Sequence, residues 1–123
     1  MRLMTYFPEL RELLDSDSNG WNPRVDLLEN TSEWIVLVEV PGVSRENLKI
    51  NFENGILTLR GERKDDSDRN FKLKETESGS FCRGFAFPSD IEPELIKAEL
   101  KDGMLKVKVP KPEESKPKEI KVN

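Results

Sequence analysis

The 123-residue sequence predicts an all-β fold, an immunoglobulin-like β-sandwich, with a short helical arm before it and an extended tail after it. Three observations predict this fold class. Apolar and polar residues alternate with a period of two from Val25 to Pro110, Gly and Pro divide that segment into short runs, and two dipeptides suit two-residue hairpin turns. We therefore divide the chain into an N-terminal arm at residues 1–20, a sandwich domain at 21–110 and a flexible C-terminal tail at 111–123.

The first hairpin is predicted at Asp102-Gly103, because both residue types tolerate positive φ. Folding the chain there places apolar residues opposite one another on one face and charged residues on the other. The predicted pairs are Leu100 with Leu105, Ala98 with Val107 and Ile96 with Val109. A slip of one residue would turn this apolar row to solvent, so a single register is expected.

The second hairpin is predicted at Asn54-Gly55, where folding pairs Phe52 with Leu57 and Ile50 with Leu59. Each hairpin then has one apolar face and one charged face, and burial of the two apolar faces against each other forms the predicted core. A later strand, ended by Pro88, contributes apolar side chains from one of its sides, those of Phe81, Phe85 and Phe87.

Composition excludes several classes of protein. The net charge is −4, charged residues make up 36% of the chain, and cations are interleaved with carboxylates, which argues against nucleic-acid binding. The longest apolar run, Trp34 to Val38, is too short to span a membrane, and we expect no signal sequence. A single cysteine fits a reducing compartment, so we expect a cytoplasmic protein.

The chain contains no histidine, so Cys-His nucleophiles, Ser-His-Asp triads and histidine-based metal sites are impossible. Cys82 is interpreted as a small strand residue that points away from the phenylalanine row. The segment Asp15-Ser16-Asp17-Ser18-Asn19-Gly20 has the opening spacing of a calcium loop, but its twelfth position is Asp26 and Pro23 interrupts it. We interpret that segment as a polar linker and expect no enzyme activity, cofactor or metal.

Three segments lie outside the regular pattern. In the arm, apolar residues recur at helical spacing and must pack on this domain, on a second subunit or on a foreign chain; they are Tyr6, Phe7, Leu10, Leu13 and Leu14. The polar excursion between Gly61 and Gly79 includes the alternating Phe71-Lys72-Leu73-Lys74, which needs a sheet edge in the same or another subunit.

The tail is a polar, proline-containing tether that carries Ile120-Lys121-Val122. An apolar pair with a period of two on such a tether suggests an anchor that adds to a sheet edge or groove. The alternative is an arbitrary terminus. The tether is long enough to reach a neighbouring subunit or its own domain, and its length does not separate the two.

Several motifs, in this order, resemble those of the small heat-shock protein family, bacterial and plant branch, whose shared part is the α-crystallin domain. The segment from Ala98 to Leu105 looks like the family's Ala-x-x-x-x-Gly-x-Leu signature, and the tail tripeptide is similar to its terminal Ile-x-Ile anchor. Further matching segments are Val25-Asp26, Val40-Pro41-Gly42-Val43, Gly79-Ser80-Phe81-Cys82-Arg83-Gly84-Phe85 and Phe87-Pro88.

This resemblance implies an ATP-independent holdase chaperone that assembles from dimers into an exchangeable oligomer, with the apolar arm exposed to non-native clients. It implies that the loop strand near Arg69, Phe71 and Leu73 crosses to the first strand of a partner. It also implies that Ile120 and Val122 dock in a groove of another subunit, lined on this sequence by Leu48, Ile50, Phe52, Ile96, Ala98 and Leu100.

Arg83 interrupts the phenylalanine row, and we expect it to contact a carboxylate near the dimer interface, where the matching family arginine lies. The alternative is an arginine at the end of a sheet that extends into solvent. A second class of function is also open, a monomeric β-sandwich module that binds one defined protein partner, as some co-chaperone domains do.

Overall fold

The computed structural model describes residues 3–4, 21–64, 69–112 and 120–123. The predicted arm helix, with Tyr6, Phe7, Leu10, Leu13 and Leu14, and the polar linker at 15–20 therefore lie outside the described residues. The described ranges contain eight strands: β1 (Leu3–Met4), β2 (Val25–Glu29), β3 (Glu33–Glu39), β4 (Leu48–Glu53), β5 (Ile56–Arg63), β6 (Gly79–Ala86), β7 (Lys97–Lys101) and β8 (Met104–Pro110). Two short 3-10 turns, Arg45–Asn47 and Pro93–Leu95, precede β4 and β7.

The strands form two four-stranded sheets, which confirms the predicted all-β sandwich. One sheet has the order β1-β6-β5-β4 and the other β2-β3-β8-β7. All neighbouring strands are antiparallel except β1, which pairs in parallel with β6 through Leu3 and Gly84 and through Met4 and Phe85. The two sequence-predicted hairpins, β4–β5 and β7–β8, belong to different sheets, so their apolar faces can pack together.

Both hairpins turn where the sequence predicts. Asn54 and Gly55 have φ values of 53° and 78°, and Asp102 and Gly103 have 53° and 76°. Positive φ at both central residues is the requirement of a type I′ turn, whose twist matches that of paired strands. The expected cross-strand pairs are observed: Phe52 with Leu57, Ile50 with Leu59, Leu100 with Leu105 and Ala98 with Val107.

One predicted pair is wrong, because Ile96 is not in the β7–β8 ladder and does not pair with Val109. β7 begins only at Lys97, and the N–H of Ile96 donates instead to the carbonyl of Pro93, which closes the preceding 3-10 turn. Along the predicted apolar row, Leu105, Val107 and Val109 are buried, but Ala98 is exposed. This difference arises because β7 is the last strand of its sheet.

The core lies between the sheets and consists mainly of the apolar faces of β3, β5, β6 and β8. Its members are Trp21, Val36, Val38, Val40, Val43, Leu57, Leu59, Phe81, Phe85, Phe87, Ile91, Leu105, Val107 and Val109. Trp21 meets Phe81 edge-on with ring centroids 5.2 Å apart, and Trp34 packs on Phe87 at the same centroid distance. The predicted row of phenylalanines on one side of a strand is therefore part of this core.

The loop between β5 and β6 is shorter than predicted, because β5 continues through Arg63. In its described part, residues 64 and 69–78, no strand is present, and Phe71-Lys72-Leu73-Lys74 pairs with no edge of this single chain. Phe71 and Leu73 are both exposed.

Gly61 gives a direct test of this packing. A Cβ added there would overlap the Phe81 ring and lie 3.0 Å from a methyl carbon of Leu48. Overpacking of this kind costs roughly 1–3 kcal/mol, so we predict that Gly61→Ala lowers the free energy of unfolding by that amount. Urea unfolding measures this change. Glu62→Ala, at the exposed next position, is the control, and its free energy of unfolding should stay within about 0.5 kcal/mol of the parent. Equal midpoints for the two variants would contradict the packing.

Candidate functional site

An apolar groove runs between the outer strands of the two sheets. β4 ends one sheet and β7 ends the other, so both present an outer backbone edge that is available for a further strand. The groove has a volume of about 290 Å³ and is lined by Ile50, Asn51, Phe52, Leu57, Pro93, Ile96 and Ala98. It therefore combines an apolar interior with two strand edges, the two features that bind an extended apolar peptide.

Alternation along β4 explains why Ile50 and Phe52 reach the groove. Ile50 and Phe52 are half-buried on the face of β4 that looks toward the other sheet, whereas Lys49 and Glu53 are exposed on the opposite face. The fully buried Leu57, which pairs with Phe52, lies below them. The side chains that line the groove are thus the open margin of the hydrophobic core.

The sequence predicted four of these groove residues: Ile50, Phe52, Ile96 and Ala98. Leu48 and Leu100 are on the same strands and pack against the core, but they do not line the groove. Sequence reasoning missed Asn51, Leu57 and Pro93. Pro93 could have been found from its position in the turn that leads into β7, since that turn places Ile96 at the groove.

The predicted anchor residues do not occupy the groove of their own chain. Ile120 is 86% exposed and Val122 is 95% exposed. Both are apolar side chains with almost no cover, at one end of the described chain. The structure does not bring the anchor and the groove together within one subunit.

A second edge is formed by β2, the strand opposite to β7 in its sheet. Leu27 and Leu28 are exposed on consecutive positions of β2, so both of its faces carry uncovered apolar surface. Arg69, Phe71 and Leu73, the predicted dimer residues of the loop, are exposed too. Neither group covers the other in the single chain.

Arg83 is buried and 5% exposed, so the alternative in which it extends into solvent is wrong. Its Nη1–H donates to the carbonyl oxygen of Pro23 at 2.7 Å, and its guanidinium carbon lies 5.8 Å from the centre of the Phe85 ring. It stands opposite Leu59 on the core side of β6. These contacts join β6 to the segment that leads into β2, and the expected carboxylate contact remains a prediction.

Cys82 pairs with Arg60, on the face of β6 opposite to Phe81 and Phe85, so the predicted orientation of its side chain is confirmed. As the single cysteine of the sequence it forms no disulfide within the chain, and it is buried. In residues 3–4, 21–64, 69–112 and 120–123, no group of three or more Cys, Asp or Glu side chains could hold a metal ion. The described ranges also include no helix with the length and hydropathy of a membrane span.

Lys111, directly after β8, contacts the last residue of β2, the edge strand of the same sheet on the far side of β3. Its Nζ lies 2.8 Å from Oε2 of Glu29, and this hydrogen bond holds the pKa of the Glu29 carboxyl below its usual value, with smaller contributions from the lysine charge and from Trp34. Since the folded-state pKa is lowered, the pair is present at neutral pH and is lost only as the pH falls through that pKa.

Comparisons with known proteins show the family of this chain. Residues 26–123 match the model of the Hsp20/alpha crystallin family, so the chain belongs to that family. It is 40% identical over 105 residues to small heat shock protein C4 of Rickettsia felis, over 83% of this chain and 64% of that protein. It is also 40% identical over 100 residues to a 16.9 kDa class I heat shock protein of Triticum aestivum, over 78% of this chain and 66% of that protein.

The chain thus spans a little under two thirds of the length of these two relatives. Among solved structures, it resembles a small heat-shock protein from Xylella fastidiosa, which is described as having a distinct high order structure. The TM-score is 0.70 at 32% sequence identity, over 84% of this chain and 97% of that one. The sandwich described above is accordingly an α-crystallin domain.

Proposed function

We propose that this protein is an ATP-independent holdase chaperone, which binds partly unfolded proteins and prevents their aggregation from a dimer-based, exchangeable oligomer. The observation that carries the proposal is the open apolar groove between β4 and β7, together with the exposed Ile120 and Val122 of the same chain. Membership of the Hsp20 family and the high order structure of the Xylella fastidiosa relative support it. We expect the protein to act in the cytoplasm, without a cofactor and without catalysis.

The energetics of the anchor favour reversible assembly. Burial of Ile120 and Val122 is worth roughly 1.5–3 kcal/mol for each side chain before ordering costs. Ordering of the tail and loss of rotational freedom offset part of that gain, so one anchor binds weakly. Several anchors on one assembly add avidity without new contacts. Such an oligomer holds together but exchanges subunits, and each release uncovers apolar grooves for a client.

The β2 edge and the β5–β6 loop support the proposed dimer. Among the described residues, no strand pairs with the outer edge of β2, where Leu27 and Leu28 are exposed. The loop carries Phe71 and Leu73 at a period of two, and the described strands leave it unpaired as well. Addition of one chain's loop to the other chain's β2 would satisfy the backbone of both and cover these four side chains.

Client binding is assigned to the arm residues Tyr6, Phe7, Leu10, Leu13 and Leu14, which lie outside the described residues. The groove is a further apolar surface once an anchor has left it. Both surfaces recognise apolar side chains and backbone edges, which non-native proteins expose and folded proteins cover. Selection of a client by this chemistry needs no sequence motif in the client.

The holding activity is tested by heating a model client that aggregates, such as citrate synthase, with and without the protein. We predict suppression of light scattering at stoichiometric ratios, unchanged by ATP, because the contacts are apolar and form by exposure alone. Absence of suppression at those ratios would contradict the proposal. A species near the monomer mass of 14.2 kDa that binds one protein partner would favour the monomeric module instead.

The anchor is tested with the double variant Ile120→Ala, Val122→Ala. Loss of the apolar contacts should shift the assembly to smaller species. The protein concentration at which half of the assembly has dissociated should rise at least about tenfold, which corresponds to a loss of about 1.4 kcal/mol. Light scattering and native mass spectrometry measure the change. Lys121→Ala is the matched control, because a residue between two anchor positions faces the other side of an extended segment.

The groove side of this contact can be altered without touching the core, because Ala98 lines the groove and is exposed. Ala98→Arg should reproduce the anchor variant by filling the groove, and Glu99→Arg, on the other face of β7, should not. If the double variant and Ala98→Arg both retained the parent mass distribution, docking of the tail in this groove would be refuted.

For the dimer, we predict that Phe71→Ser combined with Leu73→Ser lowers dimer affinity about tenfold or more, because two apolar side chains lose their burial. Lys72→Ser is the control on the opposite side of the same segment. Dilution of the anchor-deficient variant, followed by native mass spectrometry, isolates the dimer equilibrium. Equal dimer affinity for the parent and the double variant would show that the loop is not part of the interface. Unchanged dimer affinity after Arg83→Ala would show the same for Arg83.

A further inference from the structure

Lys111 is the first residue after β8, in the segment that composition assigns to a solvated tail. Its side chain is nevertheless only 10% exposed. A lysine ammonium with so little access to water needs compensating partners, because an unpaired charge in such a position is costly. The contacts of Lys111 supply them.

Three contacts hold this residue. Its backbone N–H donates to the carbonyl of Ser32 at 2.9 Å, its Nζ lies 2.8 Å from Oε2 of Glu29, and the same Nζ lies 5.2 Å from the centre of the Trp34 ring. A cation over an indole face beside a carboxylate has two favourable partners at once. Because the Trp34 ring packs on the buried Phe87, these contacts attach the start of the tail to the core.

All three contacts lie on one side of β8. Glu29 ends β2, Ser32 lies in the turn between β2 and β3, and Trp34 is on β3. In the sheet order β2-β3-β8-β7, the groove is on the other side of β8, at β7. The start of the tail is therefore held away from the groove of its own chain.

We propose that Lys111 is a positioning residue for the anchor. By fixing the start of the tail at β2 and β3, it restricts the directions in which the tail leaves the domain, and so lowers the ordering cost when Ile120 and Val122 dock on another copy of the chain. The nine peptide units between the Cα atoms of Lys111 and Ile120 span at most about 32 Å. A fixed origin therefore raises the effective concentration of the anchor at a groove within that reach. This inference rests on the proposed tail docking.

The test is Lys111→Ala in the full chain, with Lys108→Ala as the matched control at an exposed lysine of β8. Mixing of isotopically heavy and light assemblies, followed by native mass spectrometry, measures subunit exchange without a label. We expect Lys111→Ala to speed exchange about three- to tenfold and to increase the share of smaller species, while Lys108→Ala exchanges like the parent. Glu29→Gln removes the carboxylate charge but leaves the lysine over Trp34, so it should also speed subunit exchange, by less than Lys111→Ala does.

A structural role is separated from a positioning role by repeating Lys111→Ala in the background Ile120→Ala, Val122→Ala. Positioning predicts no added effect on exchange there, because no anchor remains to be positioned. An equal effect in both backgrounds, together with a lowered urea midpoint, would overturn the proposal in favour of a stability contact.

The two proposals also fail differently. If Lys111→Ala exchanged like the parent while the anchor variant exchanged faster, the role of Lys111 would be refuted and tail docking would stand. If the anchor variant itself exchanged like the parent, both proposals would fall.

Discussion

The structure depends on the mutual burial of two amphipathic hairpins, β4–β5 in one sheet and β7–β8 in the other. A two-stranded hairpin alone is at best marginally stable in water. Packed face to face, the hairpins bury Leu57 and Leu59 against the layer that contains Leu105 and Val107. Each such side chain contributes roughly 1.5–3 kcal/mol, and β3 and β6 extend the same apolar layer on each sheet. The charged faces remain outside and keep the surface hydrated.

The same constraint produces the groove. Because each hairpin contributes the last strand of its sheet, the core ends between two open edges, β4 and β7. Side chains there can be covered by only part of a second layer, and Ile50, Phe52 and Ile96 remain half-buried. An extended segment with two apolar side chains at a period of two would cover these half-buried side chains. Stability of the domain and its capacity to bind an extended peptide thus have one origin.

The sequence predicted the hairpin registers because a period of two and the Asn-Gly and Asp-Gly turns act on neighbouring residues, where local chemistry determines geometry. Contacts between distant segments were not predictable in this way. The parallel pairing of Leu3–Met4 with β6 is two residues long and has no local signature. The acceptor for Arg83 is a backbone carbonyl 60 residues away, and Glu29 is 82 residues from Lys111. Composition alone placed Lys111 in a solvated tail, since composition does not reveal a carboxylate and an indole brought together by the sheet.

The most direct test of the central claim is a cysteine cross-link between the anchor and the groove. Val122→Cys in one population of the full chain and Ala98→Cys in another, both with Cys82→Ser, are mixed, allowed to exchange and oxidised. The account predicts a disulfide between subunits that joins the two populations, identified by mass. Failure to form that bond in exchanged assemblies, or a bond only within a subunit when both cysteines are placed on one chain, would contradict it.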